Sequence, residues 1–234
     1  MLKAAREALR EHSNDAHARV LQRFFKTGPG EYGEGDLFLG VRVPAVRRVA
    51  RIFRELPLTD TLALLQSEIH EERLLALIIL TEKYRKGSSD DRTEIYKIYL
   101  GNTEYINNWD LVDTSAEYIV GAYLSDRSRK PLYTLAQSDN LWERRMAVMA
   151  TFHFIKNGKF DETLKISEML VSDAEDLIHK AVGWMLREVG KRDRNKEEIF
   201  LKKHYQSMPR TMLRYAIEKF PENLRQQYLK GKIT

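Results

Sequence analysis

The sequence predicts an all-α protein, built as an α-solenoid of stacked helical repeats. Three observations predict it. Gly (12) and Pro (6) are sparse among 234 residues, which suits long helices and short connections better than a many-stranded sheet. Apolar residues recur at helical spacing nearly throughout the chain. Five segments also share one pattern: HEERLLALIIL (70–80), NWDLVDTSAEYIV (108–120), LWERRMAVMAT (141–151), EDLIHKAVGWML (175–186) and PRTMLRYAIEKF (209–220). Each opens on polar or charged residues and then sets a small residue (Ala76, Ala116, Ala147, Ala181, Ala216) among apolar ones. The alanines recur every ~31–40 residues, about one helix–turn–helix repeat, and small residues let neighbouring helices approach closely. The alignment slips by a residue or two between repeats, so the array is HEAT-like rather than regular.

The elements follow in order. Residues 3–11 and 16–26 read as two short helices broken around Ser13, Asn14 and Asp15. The stretch TGPGEYGEGD (27–36) is expected as a flexible surface loop. Its glycines follow no strand and precede no Lys-Ser/Thr, so context excludes a phosphate-binding loop. Pro44 opens a helix through about residue 54, because proline is tolerated in a first turn. Thr59 is expected to cap a helix to Gln66, Ser89 one over 90–100, and Asp161 one over 162–171. Gly87, Gly158 and Gly190 are expected to mark helix ends. Helices over 58–66, 90–100, 130–137, 162–170 and 195–205 alternate with the five patterned ones. The chain reads as a single domain over 1–234, with N-terminal helices at 1–56 and the repeat array at 57–231.

Composition bounds the function. Hydrophobic residues (43%) and charged residues (31%) fit a packed core under a charged surface. The absence of cysteine excludes disulfides, thiolate catalysis and Cys-ligated zinc. No run of about 18 uncharged apolar residues occurs, and the N-terminus has no apolar signal-like region. A soluble protein of a bacterial-type cytoplasm, associated with the nucleoid and with no membrane partner, is the expectation. The net charge is +5 and the pI about 9.2, so the placement of charge matters more than its total.

The segment 175–190 is the most informative. Ile178, Val182, Met185 and Val189 form one apolar stripe that must be buried. Lys180, Trp184, Arg187 and Lys191 repeat that spacing on the opposite face. Arg144 and Arg145 near the start of 141–157, with Arg210 and Arg214 in 209–220, add cations on two further helices. Equivalent faces of successive solenoid repeats line one concave surface, here a basic one, and double-stranded DNA is the natural partner. A tryptophan packed on the next repeat beside solvated lysines is the plainer alternative. Trp109 and Asp113 lie at i and i+4, on one face of the helix over 108–124. Asp113 is then either an ion-pair partner of a neighbouring arginine or a functional carboxylate within an anion-binding groove. The histidines share no spacing, and neither HExxH nor a carboxylate–histidine cluster is visible. No metal site and no cofactor are expected.

NNWDLVDTSAEYIV (107–120), NLWERRMAV (140–148), KAVGWMLREVGK (180–191) and RTMLRYAIEK (210–219) resemble the AlkD family of DNA alkylation repair glycosylases. FLGVRVPAVRRVA (38–50) is similar to that family's early helix at the DNA backbone. The resemblance runs from about residue 5 to 225. WDxxD, WxRR and GWxLRE in this order carry it. It implies a HEAT-like solenoid that excises cationic N3- and N7-alkylated purines from duplex DNA without a base-flipping pocket; a monomer is the expectation for a concave DNA binder of this size. It places the catalytic carboxylate at Asp113, its aromatic partners at Trp109 and Trp184, and a basic partner at Arg145. Pro44, Arg47 and Arg187 match DNA-contacting positions. Three features depart from the family. The 27–36 stretch is longer, Asn108 precedes Trp109 where some members carry a second aromatic, and Phe24 replaces a hydroxyl-bearing aromatic. Two other classes stand beside the glycosylase: a non-catalytic DNA-structure-binding protein on the same scaffold, and a HEAT-repeat protein-interaction scaffold.

Overall fold

A computed structural model describes residues 1–233 and is all-α, with fourteen helices. Among the described residues there is no strand, and a lone parallel bridge joins Leu37 to Ile69. The chain divides into two compact units, Met1–Ile119 and Val120–Thr234. No helix among the described residues is long and apolar enough to cross a membrane.

The first unit holds α1 (Leu2–Arg10), α2 (Asp15–Phe24), α3 (Val43–Ile52), α4 (Leu58–Leu65), α5 (His70–Lys86), α6 (Ser89–Leu100) and α7 (Trp109–Ala116). Helix α5 is its hub. Leu74 through Leu80 are buried all round, as a helix packed against α3, α4, α6 and α7 requires. Its first turn is buried too, although it reads His70-Glu71-Glu72-Arg73. Such burial is tolerable only because each group is paired. The Glu71 carboxylate accepts the N–H groups of Leu39, Gly40 and Val41 at 3.0, 2.8 and 3.0 Å, fixing the approach to α3. Glu72 accepts from Arg6 at 2.9 Å and Arg10 at 3.3 Å, docking α1. Arg73 and His70 hold the loop before α3 through Asp36.

That loop is therefore anchored at its end and not freely flexible, as the sequence had suggested. Asp36 and Gly33 are buried. A Cβ on Gly33 would lie 2.3 Å from the carbonyl oxygen of Phe25, so only glycine permits this close return.

The second unit holds α8 (Lys130–Ala136), α9 (Leu141–Lys156), α10 (Asp161–Met169), α11 (Asp176–Gly190), α12 (Arg194–His204), α13 (Arg210–Ala216) and α14 (Glu222–Leu229). Helix α9 packs on α8, α10 and α11, and α11 on α9, α10, α12 and α13. The stripe Ile178, Val182, Met185, Val189 is fully buried, as expected. So are Ala76, Ala116, Ala147, Ala181 and Ala216 of the five patterned helices.

Several boundaries differ from the sequence reading. Ser88, not Ser89, caps α6: its Oγ accepts from the Asp91 N–H while the Asp91 carboxylate accepts the Ser88 N–H at 2.8 Å. Thr59 lies inside α4, which begins after Pro57, and Asp161 is the first residue of α10 rather than its cap. Gly190 closes α11 from within, for a packing reason: a Cβ there would meet the Glu197 carboxylate of α12. The helix expected over 108–124 gives way after Ala116 to a π turn, Glu117–Gly121, where the two units divide. The helix expected over 209–220 ends at Ala216 and tightens into a 3₁₀ turn.

Candidate nucleic-acid site

In the first unit, α7 presents Trp109 and Asp113 from consecutive turns. Asn108 starts the helix. Its side chain is buried, accepts the Trp109 N–H at 2.9 Å and leans toward Asp36. The Trp109 ring is half-buried. It stacks on Phe25 at 5.2 Å and meets the exposed Phe24 edge-on at 5.9 Å. Phe24 thus supplies an exposed apolar ring beside Trp109. Asp113 is neither sealed in the core nor fully exposed. Behind it Tyr99 is fully buried and hydrogen-bonded to Ser115 at 2.9 Å. Burial pushes the Tyr99 phenol pKa up, and the charge of Asp113 adds to the rise.

Beside Trp109 lies an arrangement that no spacing in the sequence shows, a histidine clamped between carboxylates. His70 Nδ1 lies 2.9 Å from a carboxylate oxygen of Asp36 and its Nε2 lies 2.9 Å from one of Asp110. Arg73 donates to Asp36 at 2.6 Å and also to the Ser67 carbonyl and Asn107. Burial alone would lower the His70 pKa, but the charge and hydrogen bond of Asp110, with the bond to Asp36, lift it to about 9. Burial likewise would raise the Asp36 pKa, yet His70 and Arg73 hold it below the usual carboxylate range. No spacing rule joins residues 36, 70 and 110. The only sequence trace is a charged HEER run at the start of an otherwise apolar helix.

Helix α3 carries Pro44 in its first turn and exposes Arg47, Arg48 and Arg51, and Arg42 is exposed at its N-cap. None of these four arginines forms an ion pair among the described residues. Of them the sequence reading had singled out only Arg47.

In the second unit, Trp184 is half-buried on α11, with the Phe152 ring 6.2 Å away. The Lys156 ammonium lies over Phe152 at 4.3 Å. The cations of that stripe are locally committed. Lys180 pairs with Asp176 at 2.7 Å, Lys191 with Glu188 at 2.6 Å, and Arg187 with Glu218. Arg144 is a brace: it bonds Asp173 at 2.7 Å and the carbonyls of Ser138 and Asp139 at 3.0 Å each. Arg145 is buried and donates to the Leu177 carbonyl at 2.5 Å. Arg210 and Arg214 stand exposed on α13, with no ion pair among the described residues.

Exposed arginines without ion pairs on α3 and α13, and half-buried tryptophans, one of them a turn from a carboxylate, suit the class of proteins that act on nucleic acid. The chain is a member of the DNA alkylation repair enzyme family, whose model matches residues 5–220. The family makes DNA its partner. A predicted DNA alkylation repair enzyme from Enterococcus faecalis has a similar structure, with a TM-score of 0.69 at 18% identity over 90% of this chain and 98% of that one. No curated protein matches the chain in sequence.

Proposed function

We propose that the chain is a monofunctional DNA glycosylase that excises cationic N3- and N7-alkylated purines from duplex DNA. The observation that carries this reading is α7, where an aromatic face and a carboxylate stand one turn apart, half-exposed, in a member of an alkylation repair family. Breaking the C1′–N bond builds positive charge on the sugar, and a carboxylate stabilises such an oxocarbenium-like centre. Asp113 takes that role and orients the attacking water. The base carries a formal positive charge before cleavage, so it departs neutral and no general acid is required. The electron-rich ring face of Trp109 favours the cationic sugar and base. Pro44, Arg47, Arg210 and Arg214 hold the backbone. The lesion stays stacked, and its own lability supplies selectivity.

The test is release of N7-methylguanine from alkylated duplex DNA at low salt. Wild type releases the base, and Asp113→Asn lowers the single-turnover rate at least ~100-fold, the usual scale of a lost electrostatic stabiliser. No release by wild type overturns the reading. Full activity in Asp113→Asn removes Asp113 from the chemistry.

A further inference from the structure

His70 has no part in the reaction just described, yet its surroundings are specific. It is 2% exposed and lies between the side chains of Asp36 (4% exposed) and Asp110 (17% exposed). A neutral imidazole carries one N–H and could satisfy only one of these carboxylates, whereas an imidazolium donates to both. Phe38 stacks on the imidazole at 4.5 Å and Phe25 lies at 5.0 Å, which also favours a cation. Arg73 faces Asp36 from the same helix. The charged groups that meet here are thus two carboxylates, one guanidinium and the imidazole. They sum to zero only when His70 is protonated.

The location gives this balance a consequence. Asp110 follows Trp109 and precedes Asp113 by three residues on α7, where like charges at i and i+3 oppose each other. Phe25 touches both the His70 and Trp109 rings. The second oxygen of Asp110, Oδ1, is buried without a hydrogen-bond partner, so His70 is its main compensation. We propose that His70 is a positioning residue whose positive charge cancels Asp110 and fixes the first turn of α7, leaving Asp113 as the carboxylate that acts on DNA. The excision arm of this proposal rests on the glycosylase reading; the charge state and the duplex affinity do not. The pKa near 9 agrees with the geometry. Loss of the proton leaves a net negative charge under Trp109, which opposes the phosphates of bound duplex and the ionised form of Asp113.

The test uses the full chain and three readouts. Imidazole ¹⁵N shifts should show His70 protonated at neutral pH and titrating near 9. Titration near the ordinary 6.5 overturns the proposal. Single-turnover excision and affinity for unmodified duplex, measured from pH 7 to 10, should fall together along an alkaline limb. In His70→Gln both should be lower at pH 7, excision by roughly tenfold, and the limb should vanish; a limb that survives the substitution sinks the idea. The double variant His70→Gln/Asp110→Asn removes both charges and should recover affinity, which a purely structural loss would not. If His70→Gln does not fold, Asp110→Asn alone should shift the His70 titration downward, and an unmoved titration overturns the proposal. Should no variant or wild type excise at any pH, the glycosylase reading fails while duplex affinity still reports the limb, and its absence there overturns the proposal.

Discussion

The two units handle charge differently. In the first, the buried charges at the start of α5 are compensated and the exposed arginines at α3 form no ion pair. Glu71, Glu72, Arg73, His70 and Asp36 are all buried and all partnered, while Arg42 at the N-cap of α3 and Arg47, Arg48 and Arg51 on it stand exposed without ion pairs among the described residues. In the second, the cations of α11 are held by Asp176, Glu188 and Glu218, and a buried acid is left uncompensated. That acid is Glu197 on α12, 2% exposed, with Oε1 lacking a hydrogen-bond partner. Burial raises its pKa to about 8. Formal charge read along a helix is therefore a poor measure of charge available to a polyanion. What counts is whether each cation is already neutralised.

The largest expected effect breaks the compensated side. Arg73→Ala removes the partner of Asp36 and leaves a buried carboxylate beside His70, a change of the kind that costs about 3–5 kcal/mol. Urea unfolding should show that loss at pH 7, whereas Arg85→Ala, whose pair with Glu82 is exposed, should lie within about 0.5 kcal/mol of wild type. Equal effects would mean that the buried network is not what holds α5 to its loop.

The uncompensated side is the next test. Folding favours the protonated form of Glu197, since its pKa in the fold, about 8, lies above the ordinary 4.5. The stability from this group is fully present below pH 4.5 and is lost as the pH rises through about 8. His70 contributes in the same sense, so the variant must be compared with wild type at each pH. Glu197→Gln keeps the neutral shape, and its advantage should grow from under about 1 kcal/mol at pH 5 to on the order of 5 kcal/mol at pH 9. A pH-independent difference between the two proteins would place the raised pKa elsewhere.

For the surface, the arginines of α3 give the sharper contrast. Replacing Arg47, Arg48 and Arg51 together by alanine should lower the salt slope of duplex binding by about three units. Between 50 and 200 mM salt that corresponds to a difference of about 40-fold in how far affinity falls. A slope unchanged in the triple variant would take α3 off the DNA.

Much of the fold was legible because helical periodicity is a local signal. The buried stripe Ile178–Val182–Met185–Val189 and the five buried alanines needed nothing beyond residue spacing. The interrupted end of α7 was not legible, because a π turn is set by packing and leaves no mark in apolar period. Within the site, Trp109 and Asp113 could be placed on one helix face from i, i+4 spacing alone. The Asp36–His70–Asp110 clamp could not, because its three members come from a loop and two helix starts that meet only in the folded chain. The HEER run shows why. In sequence it looks like a solvated first turn, yet each of its four side chains is turned inward and partnered by a different segment or shared with one. Nor could the sequence show that the stripe on α11 is neutralised, since Glu218 arrives from another helix pair.

Arg187 is where the contrast between the units becomes a small measurable effect. It is partly shielded and already paired with Glu218, which is more exposed. To meet a phosphate it must exchange that carboxylate for the DNA, so part of the electrostatic gain is offset. Arg187→Ala should therefore lower the salt slope by at most about one unit, a difference of no more than about fourfold between 50 and 200 mM salt. Glu218→Gln frees the guanidinium and removes a negative charge, so duplex affinity should rise about two- to fivefold at low salt, with the gain fading as salt screens it. In Arg187→Ala, adding Glu218→Gln should return less than it does in wild type, because the pair is the route by which Glu218 opposes binding. Equal gains in both backgrounds would show that Glu218 acts on DNA through space alone and that Arg187 is a structural tie between α11 and the turn after α13.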